Sequence, residues 1–316
     1  MPNSTTARLP GNNVPAVREE VHGMEVVISK SKAPAALLLL FHGCSRSPLD
    51  WFVSQPGCKA CLGYPEELVV TRLAAARGFT SVAFSSSNTA HRCWDAHRPP
   101  ESSHDIKQVV RVLQTLQTRE HWECLPIYAL GASSGGHMVL MLAFRIAFKG
   151  IACQIMAIDP RVFEQQPRAW GDPRNSFTYP PCMFIHMPRD VHTAAGVKAD
   201  IRAMQKKGIH VGELLAGPLP LTPDLITSRF HDLEQGAAAA IVHALRHATL
   251  LDAAGYFISD PRQTAPQWQA LVRTKVPATE SLHMDLLAEL FNFAYASHEL
   301  TSQFMAATLD WWQRGT

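Results

Sequence analysis

An α/β fold is predicted, with a mostly parallel central sheet, helices on both faces and a helical insertion late in the chain; three observations carry this. Short apolar runs such as Ala36-Leu-Leu-Leu-Leu-Phe41, Phe79 to Phe84 and Cys182 to Met187 lack polar alternation, so they read as strands buried on both faces. Longer segments of helical periodicity separate them, which is the pattern of parallel strands joined by crossover helices. Between one such run and an apolar helix stands a glycine-bracketed serine, Gly131-Ala-Ser133-Ser-Gly135.

Taken in order, residues 1–20 are polar, contain Pro10 and Pro15 and show no periodicity, so a disordered or loosely packed arm is expected there and one domain over 21–316. Met24 to Ser29 and Ala36 to Phe41 read as strands. A helix over 65–77 has Pro65 in its first turn and Gly78 as its stop. Phe79 to Phe84 is the next strand. Ser102 and Ser103 offer caps to a helix striped by Ile106, Val109, Val110, Leu113 and Leu116. The strand at Ile127 leads to the serine, and residues 138–148 are apolar around most of a helical circumference, as in a buried helix. Ile151 to Ile158 and Cys182 to Met187 follow as strands, Val197 to Lys206 as a helix and His210 to Leu215 as a last strand. From 217 to about 280 three prolines (Pro218, Pro220, Pro223) and an alanine-rich stretch mark a helical insertion. Ser281 to Ser297 is helical, and Leu300, Phe304, Ala307 and Trp311 stripe a closing helix.

A chain of 316 residues, 47% apolar and 18% charged, is long enough for one large core. A formal charge of +2 without a Lys/Arg block argues against nucleic acid and anionic membrane as partners. The longest apolar runs are too short to span a bilayer, and the first twenty residues hold no apolar signal core, so a cytoplasmic, reducing setting is the default expectation. Seven cysteines do not make a disulfide framework for this length. Cys58-Lys-Ala-Cys61 lacks further ligands for a metal, and whether this pair is bridged stays open. No metal or organic cofactor is called for, and oligomeric state is unreadable.

A serine on a sharp strand-to-helix turn presents its hydroxyl above the sheet edge, and it becomes a nucleophile when a positioned histidine takes its proton and a carboxylate orients that histidine. Ser133 is the candidate nucleophile, and the Ser134 amide at the helix N-terminus is a candidate oxyanion donor. The acid is expected in a loop after a later strand. Asp190, three residues beyond Met187, is favoured over Asp159. Of fifteen histidines, His298 precedes the closing helix and has the best context as base, with His283 and His231 as competitors. After the early strand, His42-Gly43-Cys44 places a flexible glycine before the Cys44 amide, a second candidate oxyanion donor. Trp94 is either a substrate-stacking aromatic or a loop anchor.

With Phe41-His42-Gly43-Cys44, Gly131-Ala-Ser133-Ser-Gly135, Asp190 and His298 in these positions, the chain resembles the α/β-hydrolase superfamily. Including Cys93-Trp94-Asp95 and Gly136, it is similar to the esterases grouped with polyhydroxyalkanoate depolymerases and feruloyl esterases, from which the 217–280 insertion sets it apart. The resemblance implies an α/β-hydrolase fold and a serine hydrolase that cleaves a small-molecule carboxylic ester through a Ser133-His298-Asp190 triad and an acyl-enzyme. A thioesterase or peptidase on the same triad, or a non-catalytic ligand receptor on the same fold, are the alternatives.

Overall fold

β1 (Val17–Val21) lies at the edge of the sheet and is mostly exposed, with Val17 open to solvent and Val21 buried. It turns back through His22 and Gly23, both at positive φ, onto β2 (Met24–Ser29). The computed structural model describes residues 14–97, 99–169, 177–276 and 284–314. Within the expected arm, therefore, residues 17–20 are paired in the sheet, where their backbone groups find partners in β2.

β2 runs antiparallel to both β1 and β4, and every other pairing is parallel. β3 (Ala36–Phe41), α1 (Pro65–Ala76), β4 (Phe79–Phe84), α2 (His104–Glu120), β5 (Ile127–Ala132), α3 (Ser134–Leu142), β6 (Gly150–Gln154), β7 (Cys182–His186), α4 (Val191–Lys206) and β8 (Val211–Leu215) follow in sequence. In space the strands lie in the order β1-β2-β4-β3-β5-β6-β7-β8. This is the α/β-hydrolase fold. Leu37 to Leu40 are wholly buried, each contributing about 2 kcal/mol of transfer free energy, and Leu37 and Leu39 share one core with Ile106, Val109, Leu113 and Leu116 of α2.

Pro218–Tyr295 forms a second compact unit. Its helices are α5 (Pro223–Arg229), α6 (Gln235–His247), α7 (Ala265–Lys275) and α8 (Met284–Tyr295). Phe291 of α8 packs on Phe257 and Trp268, with ring centroids 5.1 and 4.9 Å apart. That apolar cluster extends the insertion to Tyr295, beyond the expected end near 280. The chain re-enters the sheet unit at Ala296 and closes with α9 (Met305–Arg314).

Some boundaries differ from expectation for local reasons. α3 stops at Leu142, where Phe144 N bonds Met141 O and Arg145 N bonds Leu142 O in tighter turns. β6 stops at Gln154 because Ile155 adopts φ +46°. α4 starts six residues early, since the Asp190 side chain caps it by accepting from Thr193 N at 3.3 Å. α9 buries Met305, Thr308, Leu309 and Trp312, one position round from the expected stripe, because Trp312 packs on Tyr128 at 5.0 Å and over the bare Cα of Gly150.

Cys44 is bridged to Cys93, where thiols are expected from the sequence, and Cys58 is bridged to Cys61, the pair the sequence leaves open. Such bridges are rare in reducing compartments. Cys153 and Cys182 are buried thiols in β6 and β7, behaving as small apolar residues. Among the described residues no helix is long and apolar enough to cross a membrane.

Candidate active site

The turn from β5 to α3 is built around missing side chains. A Cβ on Gly131 would lie 2.2 Å from Gly135 O, and one on Gly135 would lie 2.2 Å from Phe41 O and 2.5 Å from His42 O. Only glycine permits strand, helix and the end of β3 to approach so closely. Ser133 occupies the turn at φ +54°, ψ −122°, a conformation disfavoured for a residue with a Cβ, of the kind retained at functional sites. Its own amide is held by Gln154 O at 3.0 Å.

From that position Ser133 Oγ lies 3.0 Å from His298 Nε2, and His298 Nδ1 lies 2.5 Å from Asp190 Oδ2. Serine, histidine and carboxylate thus form one relay, with Asp190 in a loop after β7 and His298 in the loop before α9. Burial pushes the Asp190 carboxyl upward, but hydrogen bonds from His298 and Thr193 more than offset this and hold it below the usual carboxylate value. Asp159, the competing acid, caps the turn after β6 and pairs with Arg161 at 2.6 Å. His231 belongs to the inserted unit, and His283 lies outside the described residues.

Gly43 packs against the serine turn: a Cβ there would sit 3.5 Å from Ala132 O and from Ser133 Cβ. The next amide, that of Cys44, has no acceptor among the described residues, and nor has that of Ser134. The preceding His42 is buried, which lowers its pKa to about 4, opposed by its bond to Gly43 O and reinforced by nearby Arg92. A neutral ring donates from Nδ1 to Gly43 O at 2.7 Å and accepts at Nε2 from Ser86 N at 3.4 Å. Because the peptide between Gly43 and Cys44 is planar, holding its carbonyl on one side aims the Cys44 N–H to the other.

The 86–95 loop straps this segment down. Trp94 Nε1 donates to His42 O at 2.8 Å, Ser45 N donates to His91 O at 2.8 Å, and Cys93 is bridged to Cys44. The strap is itself anchored by Asp105 of α2, wholly buried, which accepts from Ser87 N at 3.0 Å and Asp95 N at 2.8 Å. Trp94 is thus a loop anchor, packed edge-on to Phe41 at 5.2 Å. The bridge went unread in the sequence, although β3 and β4 are neighbours in the sheet and Cys44 and Cys93 both lie in loops that follow them. His42 has no sequence signal of its own beyond its place in the His42-Gly43-Cys44 segment.

Among the described residues no group of three or more His, Cys, Asp or Glu side chains is placed to hold a metal. The arrangement sets a serine hydroxyl at hydrogen-bond distance from an imidazole whose other nitrogen meets a carboxylate.

No protein-family model matches the chain, and neither does any curated protein. Solved structures that match part of the chain include an esterase from Pseudomonas putida, 15% identical with a TM-score of 0.42, over 66% of this chain and 74% of that one. An esterase from Pyrococcus furiosus is 10% identical with a TM-score of 0.44, over 64% and 83%. An acylaminoacyl peptidase from Pyrococcus horikoshii is 12% identical with a TM-score of 0.44, over 65% of this chain and 37% of that longer one. Overlaps this partial carry no chemistry across, which rests on the geometry above.

Proposed function

We propose that the chain is a serine hydrolase that cleaves a carboxylic ester through an acyl-enzyme. The observation that carries this reading is the continuous relay from Ser133 Oγ through His298 to Asp190, at 3.0 and 2.5 Å, on a turn of strained backbone.

In this reading Asp190 holds the Nδ1–H tautomer of His298, leaving Nε2 to take the Ser133 proton as Oγ attacks the ester carbonyl carbon. Charge develops on the carbonyl oxygen, and the Cys44 and Ser134 amides receive it. Each donor of this kind is worth about 3 kcal/mol in the transition state. Collapse breaks the bond to the alcohol oxygen, which leaves with the proton from His298. Water, deprotonated by His298, then attacks the acyl-serine, and the carboxylic acid and free Ser133 are released. Every step uses groups of the sheet unit.

The test is labelling with a fluorophosphonate probe, mass mapping of the modified residue, and turnover of short- to medium-chain esters and thioesters. Label on Ser133, absent from Ser133→Ala, together with ester turnover supports the reading. Folded protein that takes no label overturns it and favours a ligand receptor on the same fold; label with thioester but no ester turnover moves the substrate class.

A further inference from the structure

His298 stands in a loop at φ +48°, two residues after Ala296 at φ +61°. Neither a helix nor a strand fixes such a residue, yet its Nε2 lies 3.0 Å from Ser133 Oγ across 165 positions of chain. Something must set that separation from outside the pair.

Gln154, the last residue of β6, touches both segments. Its main-chain carbonyl accepts from Ser133 N at 3.0 Å. Its side chain, 1% exposed, donates from Nε2 to Thr301 O at 2.9 Å and accepts at Oε1 from Thr301 N at 2.9 Å. Thr301 is three residues after His298 and fully buried. A primary amide presents a coplanar donor and acceptor to one residue's main chain without any change of protonation, and asparagine is one methylene shorter. Directly beyond, Glu66 of α1 accepts from Ser302 N and Oγ at 2.7 and 2.6 Å, fastening the far side of the same loop. Directly after Gln154, the β-branched Ile155 is held in the left-handed region, with its amide bonded to Ile185 O at 2.8 Å. A conformation so disfavoured persists only where its surroundings over-determine it.

We propose that Gln154 is a positioning residue that sets the distance between nucleophile and base, by gripping the serine turn with its backbone and the histidine loop with its side chain. The proposal rests on Ser133 and His298 having the roles given above. Misplacing a catalytic group by about 1 Å lowers turnover by on the order of 10²-fold without touching the substrate.

The experiment compares Gln154→Met, which keeps length but neither side-chain hydrogen bond, and the milder Gln154→Asn, which keeps the amide but retracts it. kcat is expressed per fluorophosphonate-labelled serine so that misfolded protein does not count, and Leu113→Ala, a core change in α2, controls for lost stability alone. The proposal expects kcat to fall by on the order of 10²-fold in Gln154→Met and by about 10-fold in Gln154→Asn, with KM within about twofold of wild type and Leu113→Ala unchanged per labelled serine. If Gln154→Met does not fold, the split between kcat and KM in Gln154→Asn decides. Wild-type kcat in the folded variants, or an equal fall in Leu113→Ala, overturns the positioning role while leaving the triad intact. Wild-type protein that takes no label on Ser133 overturns the underlying triad instead, so the two failures are distinguishable.

Discussion

Asp190 and His298, 108 positions apart, meet at 2.5 Å through one carboxylate oxygen and Nδ1. The other carboxylate oxygen of Asp190 caps α4 through Thr193 N, so the residue that orients the histidine is itself oriented by a helix.

Asp190→Asn offers an amide where Nδ1–H needs an acceptor, which favours the wrong tautomer. kcat is expected to fall about 10³- to 10⁴-fold with the fold retained. The folded-state pKa of Asp190 is depressed, so its contribution to stability is present above the unfolded value and lost as pH falls through the folded one. Denaturation midpoints between pH 6 and pH 3 should accordingly fall less steeply in Asp190→Asn than in wild type.

The backbone at Ser133 predicts different stabilities for two inactive variants. Ser133→Ala keeps a Cβ at φ +54° and should unfold near the wild-type urea midpoint. Ser133→Gly relieves that strain and should be more stable by about 1 kcal/mol, after the entropy glycine adds to the unfolded chain. Equal midpoints for the two would show that the turn stores no strain.

Cys93→Ser cuts the bridge to Cys44 while leaving the Trp94 and Ser45 hydrogen bonds in place. A looser Cys44 amide should lower kcat about 10-fold with KM little changed, and losing the cross-link should reduce stability by about 2–4 kcal/mol. Active-site-normalised kinetics and urea unfolding of reduced and oxidised protein measure both effects.

Asp200 of α4 is wholly buried; Oδ2 accepts from Ile158 N at 2.9 Å, while Oδ1 has no partner among the described residues. Burial raises its pKa to about 7, opposed by the Ile158 bond and aided by the negative charge of Asp159. The folded state therefore holds a proton that the unfolded state releases near pH 4. Stability declines as pH rises between those values, by up to about 1.4 kcal/mol per unit, and is flat above. Asp200→Asn keeps an acceptor for Ile158 N and does not titrate, so its stability relative to wild type should grow from pH 5 to pH 7.5 in urea titrations. A constant difference across that range would refute the raised pKa.

Strand and helix positions were largely legible, because runs buried on both faces and amphipathic stripes are periodic signals in the local sequence. The Gly131-Ser133-Gly135 turn was legible for a similar reason: Gly131 meets Gly135 and Gly136 within five residues, although the approach of Gly135 to Phe41 and His42 shows only once β3 is placed beside the turn. The bridge between Cys44 and Cys93 needed knowledge that β3 and β4 are neighbours. Gln154 carried no signal at all, since a glutamine ending a strand looks like any polar residue until Thr301 is placed beside it. The strained φ of Ile155, which shortens β6, was hidden because isoleucine argues for continuing a strand. The inserted unit was expected to end too early, as Phe291 reads as one more apolar helix position until its contacts with Phe257 and Trp268 are seen.

The link between Gln154 and Thr301 closes a span of 147 residues, which bears on how the molecule acquires its reactivity during folding. Contacts so distant in sequence are entropically expensive and form late, whereas the turn at Ser133 is local to β5 and α3. During refolding, sheet structure and the buried aromatic cluster should precede a reactive hydroxyl. Susceptibility to covalent labelling would then be a clock for the last closure of the chain, lagging behind the recovery of secondary structure.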